Sequence, residues 1–411
     1  MRLLALLALL APLAAAAAGD PADLPPAAEV RAAIESYPSV LAAEAAVAAS
    51  QAQRRGLNAG PYETQMRLGA GKRRERTLDQ DMNEYELGVE RAFRIGSKSE
   101  LDQSIGDAGV AQARLGVGDA MHEAARSLLR LWFAWMRGAA QAEDWDAQAQ
   151  ILSRQLEVVD KRVGLGDAPR QERLLAESAF AQADTMNLQA RMHADAARAE
   201  LTRSFPAIAP PAALPRVMPQ PLAHDLAWWR ERVLEHNHEL AMARAQVERA
   251  RLLASRADAE RTPDPTLGLR YLSERADTER VLGVVVTVPF SGAARRAAAD
   301  SALAQGDVAA QREAAVLRRL DADVAALFAN ASHALGAAER AASAADGLRR
   351  NAELAARAYA LGESNLADVL VAQRFAIEAR LTATLARLDA AESRYRLMLD
   401  AHELWPLDAP N

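Results

Sequence analysis

Hydrophobic and polar positions alternate in the stretch from Asn83 to Phe93: Tyr85, Leu87, Val89 and Phe93 hold one parity, and Glu84, Glu86, Gly88 and Glu90 the other. A period of two with carboxylates opposite aliphatics predicts a half-buried strand with one wet side. The stretch "YETQMRLGAGKRR" before it supplies a partner strand. The pattern returns in "PTLGLRYLS", where Leu267, Leu269 and Tyr271 oppose Gly268 and Arg270, and less cleanly from Val281 to Phe290. After each hairpin the period changes. Ala125, Leu128, Trp132, Trp135 and Ala139, and later Leu317, Leu320, Val324, Leu327, Ala331 and Leu335, step by three and four. Such steps predict coiled-coil seams. The first long helix, 97–162, holds no proline and spans about 66 residues, or about 100 Å. Ser97 and Glu100 have the spacing of a capping box at its start. Short Gly-containing turns follow both long helices, so the return helices run antiparallel to them.

The same plan occurs twice. "VGLGDAPRQERLLAES" (Val163 to Ser178) superposes on "YALGESNLADVLVAQR" (Tyr359 to Arg374), pairing Gly166 with Gly362 at an offset of 196 (362 − 166). Leu128 meets Val324 and Trp132 meets Phe328 at that same offset. The predicted organisation is a signal peptide at 1–18 and a first repeat at 19–204, with an opening helix, hairpin 62–93, long helix 97–162 and return helix 170–203. A linker at 205–221 carries six of the 18 prolines and suits a stiff extended connector. The second repeat, 222–400, has an opening helix, hairpin 265–290, long helix 293–359 and return helix 366–399, and 401–411 forms a tail.

Composition narrows the class. Of the 411 residues 50% are hydrophobic, much of that alanine, while aromatics make up only 5% and charged residues 25%. Ala with charge favours long exposed helices over a thick core. A net charge of -6 gives no basic footprint for nucleic acid. Arg2, the apolar run from Leu3 to Leu13 and Ala16-Ala17-Ala18 have the layout of a secretory signal peptide. There is no Cys, so disulfides, thiolate metal sites and a lipid-modified Cys are excluded. No later segment has about 18 uncharged apolar residues, the length a spanning helix needs. Membrane residence would therefore have to use the strands. Strands of about 9 to 11 residues cross a hydrocarbon layer when tilted. Four from one chain cannot close a barrel, and an open edge in lipid is intolerable. Three copies would pool about 12 strands. The fold class expected is mainly α with a small β part: long coiled-coil helices forming an α-helical barrel, four strands per chain joining a trimeric 12-stranded membrane β-barrel, and an internal two-fold repeat.

Two passages, "LGVVVTVPFSGAARRAAADSALAQ" and "ARAYALGESNLADVLVAQRFAIEARL", resemble the TolC-like outer-membrane efflux proteins. The first is similar to the family's strand, proline, aromatic and basic-helix passage. The second is similar to its aromatic-x-x-Gly turn and the Asp-Val-Leu and Ala-Gln-Arg that follow. "VERAFRIGSKSELDQ" is similar to the strand-to-helix junction of the CzcC-like heavy-metal branch, although Gly96-Ser97-Lys98-Ser99 departs from the Gly-Gly-Lys-Arg common there. The resemblance implies a homotrimer in the outer membrane of a Gram-negative bacterium, projecting into the periplasm. It would meet a periplasmic membrane-fusion adaptor and an inner-membrane pump, and would export metal ions or drugs without being an enzyme or holding a cofactor. It also implies that the two turns form the adaptor-docking tip, at Val163, Gly164, Leu165, Gly166 and Asp167 and at Ala360, Leu361, Gly362, Glu363 and Ser364. Asp368, with its repeat mate Glu172, falls where the family places a channel gate; three copies of each would form an acidic ring that filters cations. As plain structural features, the glycines are turn residues and both carboxylates stabilise helix N-termini.

Other candidates carry less. "HNHE", His236 to Glu239, lacks the i, i+4 pair of a zinc helix and reads as an exposed helix start. "GAGKRR", Gly69 to Arg74, lacks the upstream Gly and following Ser/Thr of a phosphate loop. Trp132, Trp135 and Trp145 suit interhelical packing. An alternative to the channel is a soluble periplasmic coiled-coil scaffold or adaptor whose strands form a small accessory sheet.

Overall fold

The computed structural model describes residues 21–77, 79–405 and 407. The expected signal peptide at 1–18 lies outside the described residues, as do 406 and 408–411 of the tail. The elements are α1 (Ala27–Glu35), α2 (Pro38–Ala59), β1 (Gln65–Glu75), β2 (Gln80–Ala92), α3 (Lys98–Leu165), α4 (Arg170–Ser204), α5 (Leu226–His236), α6 (His238–Ala259), β3 (Thr266–Glu274), β4 (Glu279–Thr287), α7 (Ala293–Ala360) and α8 (Leu366–Asp400). The chain is therefore mainly helical with one small sheet. Element lengths recur between the halves: α3 and α7 have 68 residues each, α4 and α8 have 35, α2 and α6 have 22. Each long helix packs along its return helix, and α3 also packs against α8, joining the two halves.

Each half opens with two helices where the sequence predicts one. In the first half the break falls at Tyr37, whose ψ of 136° is extended because the following Pro38 disfavours the helical region. In the second, Asn237 is extended and its side chain accepts the Leu240 N–H at 2.8 Å, capping α6. The expected capping box at Ser97 does not form. Ser97 has ψ 3°, outside the extended conformation that aims a cap hydroxyl at the helix, and makes no side-chain cap bond.

The main core lies halfway along α3, where Leu128, Phe133 and Met136 are fully buried. Its cover comes from α1, α8 and both flanking segments of the chain. The 205–221 segment, expected as a stiff extended connector, lies outside every helix and strand and also packs: Phe205, Ile208 and Val217 are buried, and the Phe205 ring stacks on Tyr37 at 4.8 Å. Three apolar side chains give it a packing face that its proline content hides. Leu404, Trp405 and Leu407 close the same core. Trp132 packs on Trp135 at 4.9 Å and donates its indole N–H to the Asp23 carbonyl at 2.9 Å.

The four strands form one antiparallel sheet in the order β1-β2-β3-β4. Directly paired residues share a face, so the register assigns both faces. One carries the rows Leu68-Leu87-Tyr271-Leu282 and Met66-Val89-Leu269-Val284. The other carries Arg67-Gly88-Arg270-Gly283, with Glu84, Glu86 and Glu90 in adjoining rows.

Candidate functional site

The sheet is inverted relative to one that covers a core. Along β2 the apolar residues are the exposed ones and the carboxylates are half-buried. Leu282, Leu68 and Val284 are 80%, 70% and 67% exposed. Tyr85 and Phe93 lie toward opposite ends of this apolar face, eight residues apart (93 − 85) or about 26 Å along the strand. Across the polar face run three ion pairs: Arg67 with Glu90 at 3.0 Å, Arg73 with Glu84 at 2.7 Å and Arg270 with Glu86 at 3.0 Å.

Beneath the sheet the strands meet the helices through buried charges that pattern reading missed. Lys98, 1% exposed, donates to Asp264 Oδ1 at 2.8 Å and to the Thr262 carbonyl at 2.7 Å. Asp264 also accepts from the Tyr62 hydroxyl at 2.8 Å and the Ile95 N–H at 3.0 Å. Burial pulls the Asp264 carboxyl upward, but the hydrogen bonds from Lys98, Tyr62 and Ile95 outweigh it and hold it below the ordinary carboxylate value. Burial, then the bond to Asp264, pushes the Tyr62 hydroxyl up to about 12. Next to this group, Asp102 accepts from Arg94 at 2.7 Å and Arg256 at 2.6 Å, while Arg94 also caps the Leu57 and Asn58 carbonyls at 2.8 Å. The bases of β1, β2 and β3 are thereby tied to α2, α3 and α6. The one sequence signal was Asp264 between two prolines, an acid at a forced strand start.

At the far end of the long helices the two turns adopt one conformation. Gly166 and Gly362 have φ of 82° and 81°. The Gly166 N–H bonds the Val163 carbonyl and the Asp167 N–H bonds that of Arg162; Gly362 to Tyr359 and Glu363 to Ala358 repeat the arrangement. This is a Schellman ending, which needs a left-handed residue and so favours glycine. Gly164, by contrast, is an ordinary helical position inside α3. The preceding leucines, Leu165 and Leu361, are 78% and 74% exposed. The turns pack together through Val159, Ala176, Tyr359, Leu366 and Val369.

The two predicted gate carboxylates occupy matching third positions of α4 and α8 and differ in what they touch. Glu172 accepts a 2.7 Å hydrogen bond from the hydroxyl of Tyr359 near the end of α7, and the Arg162 guanidinium lies 4.9 Å from the centre of the Tyr359 ring. Burial, then the bond to and charge of Glu172, pushes the Tyr359 hydroxyl up to about 12. Asp368 is exposed, and its backbone N–H bonds the Asn365 side chain at 2.9 Å. The turns thus bring Glu172 to Tyr359 and Arg162, two residues not singled out in the sequence, although Tyr359 is the aromatic of the aromatic-x-x-Gly turn.

The "HNHE" segment is not an exposed helix start. Asn237 is 8% exposed, and His236 and His238 face His402 with ring centres 5.6 and 5.2 Å away. His122 of α3 stacks on His402 at 5.2 Å. The long-range packing of α3 and α8 covers this junction. Among the described residues no group of His, Asp and Glu is arranged to hold a metal ion, and no helix is long and apolar enough to cross a membrane.

Two helical hairpins bearing one four-stranded sheet with an exposed apolar face are also the fold of several solved outer-membrane channel structures. The solved structure of the outer membrane protein VceC from Vibrio cholerae superposes with a TM-score of 0.76 at 17% identity, covering 92% of this chain and 96% of that one. The CmeC outer membrane channel of Campylobacter jejuni gives 0.74 at 13%, covering 93% and 86%. The open state of the MtrE outer membrane channel of Neisseria gonorrhoeae gives 0.65 at 18%, covering 93% and 90%. A comparison with curated proteins returns no match in sequence. Residues 229–399 match the model of the outer membrane efflux protein family.

Proposed function

We propose that three copies of this chain join their sheets into a 12-stranded barrel in the outer membrane of a Gram-negative bacterium. The helices then continue as a tube into the periplasm. The duct would be the exit of a tripartite efflux assembly, receiving metal ions, drugs or other small solutes from an inner-membrane pump through a periplasmic adaptor. The inverted sheet carries this reading. Among the described residues nothing covers its apolar rows, and β1 and β4 each have an edge that no described strand pairs. Lipid satisfies the first condition and identical neighbours the second. A periplasmic scaffold would leave both unsatisfied.

Within this reading the turn end is the adaptor-docking tip, with Leu165 and Leu361 as its exposed apolar contacts. Asp368 and Glu172 line the gate, and the Tyr359–Glu172 bond holds the two repeats together beside it. The decisive experiment reconstitutes the detergent-purified protein in planar bilayers after its mass has been measured. A trimer with discrete channels is expected, and Asp368→Asn combined with Glu172→Gln should raise conductance or change its block by divalent cations. Recovery as a soluble periplasmic monomer without channel activity would defeat the duct, and unchanged conductance and block would remove the gate assignment alone.

A further inference from the structure

All five glycines of the strands, Gly69, Gly71, Gly88, Gly268 and Gly283, lie on the polar face, and each stands directly across from an arginine or a glutamate. Gly88 is flanked in its row by Arg67 on one side and Arg270 on the other. Neither arginine pairs within that row. Arg67 reaches Glu90 and Arg270 reaches Glu86, the β2 residues on either side of Gly88. The two side chains therefore approach β2 from opposite sides and end on either side of Gly88, whose Cβ position meets nothing nearer than the Arg67 Cβ at 3.5 Å. Two of the glutamates, Glu86 and Glu90, also press on glycines. A Cβ added at Gly268 would come within 3.1 Å of Glu90 Cβ, and one at Gly69 within 3.3 Å of Glu86 Cβ. Both are closer than most Cβ contacts, so each glutamate sits in space that only glycine leaves.

Side chains normally stand roughly perpendicular to a sheet. A long charged chain can lie down only where its cross-strand neighbour has no side chain and a counter-charge waits along the next strand. We infer that Gly69, Gly88 and Gly268, Gly88 foremost, keep the Arg67–Glu90 and Arg270–Glu86 pairs flat against the wall and so set the largest solute that passes the strand layer. The inference rests on the duct reading, because the polar face must line the bore. It assigns a sieving role to residues remote from the turn-end gate.

The absence of native cysteine makes the test direct. Gln65→Cys places a thiol on the polar face, on the helix side of the Gly88 row when approached from the strand loops. Intact cells carrying it are treated with maleimide-polyethylene glycols of graded size. In the Gly88 parent, labelling should extend to larger reagents than in Gly88→Leu, whose rate with the largest permitted reagent should fall at least tenfold. The smallest maleimide should label both equally. Gly88→Ala should match the parent, since its Cβ would meet nothing nearer than 3.5 Å. Should Gly88→Leu fail to assemble, Gly283→Leu, beside Arg270 with no atom within 4 Å of its Cβ position, should show the same lowered cut-off. An unchanged cut-off in an assembled leucine variant would overturn the sieve. Absence of any labelling in the parent would count against the duct itself.

Discussion

His122 shows how a single residue ties this molecule to pH. It is 7% exposed, and its Nε2–H donates to the Leu399 carbonyl at 3.0 Å. Burial, then the nearby Arg126 charge, lowers it to about 4 from an ordinary 6.5, against the opposing pull of Asp400 and Leu399. The folded protein thus keeps the ring neutral where the unfolded chain protonates it. Between pH 6.5 and 4 the unfolded state binds more protons, so stability falls as pH falls, with a slope of up to about 1.4 kcal/mol per pH unit. Above 6.5 this contribution is constant. Denaturant midpoints from pH 7.5 to 4.5 should drop below about pH 6.5 in the parent and fall less in His122→Gln; parallel curves would discard the assignment. Little of this was legible in the sequence. His122 and His402 are 280 positions apart (402 − 122), and only the packing of α3 against α8 gathers them around the "HNHE" turn. The Lys98–Asp264 pair, 166 positions apart, was hidden for the same reason.

Among the elements, what could be read locally was read well. Two long helices without proline, each followed by a glycine turn and an antiparallel return, follow from short-range spacing alone. Breaks set by one backbone angle, as at Tyr37 and Asn237, were missed because the hydrophobic period runs through them. The turns show the limit of residue type. Gly164 and Gly166 look alike in sequence, yet Gly164 is helical with open space around it, whereas Gly166 and Gly362 hold left-handed φ. The physics gives opposite signs. Gly362→Ala forces a side chain into the left-handed region at a cost of about 1–2 kcal/mol. Gly164→Ala removes a helix-interior glycine and should stabilise by up to about 1 kcal/mol. Thermal unfolding should lower the midpoint for the first variant and hold or raise it for the second. Destabilisation by both would show that the Gly164 position is engaged by another chain.

For the whole molecule the decisive quantity is which face of the sheet would meet lipid in the proposed barrel, and here the sequence was readable in three strands out of four. β2 and β3 alternate openly and β1 follows them, but Val284, Val285 and Val286 form an unbroken apolar run in β4. Only pairing with β3 separates them: Val284 sits opposite Leu269 on the apolar face, and Val285 opposite Gly268 on the polar one. The Val284 row also crosses the middle of the apolar face, since Val89 lies halfway between Tyr85 and Phe93. An arginine on a barrel's lipid face costs about 2–4 kcal/mol at the midplane, whereas a bore-facing one stays hydrated. In a trimer the charge at position 284 would enter the lipid three times. Val284→Arg should therefore deplete the outer-membrane fraction of assembled protein severely, while Val285→Arg should leave assembly near the parental level and alter only permeation. Equal tolerance of both would mean that this face does not meet lipid, and equal loss would mean that Val285 packs at the seam between subunits rather than facing the bore. Adjacent residues of the same type thus separate a membrane barrel from an accessory sheet, because alternation in a strand has consequences only when its two sides face different solvents.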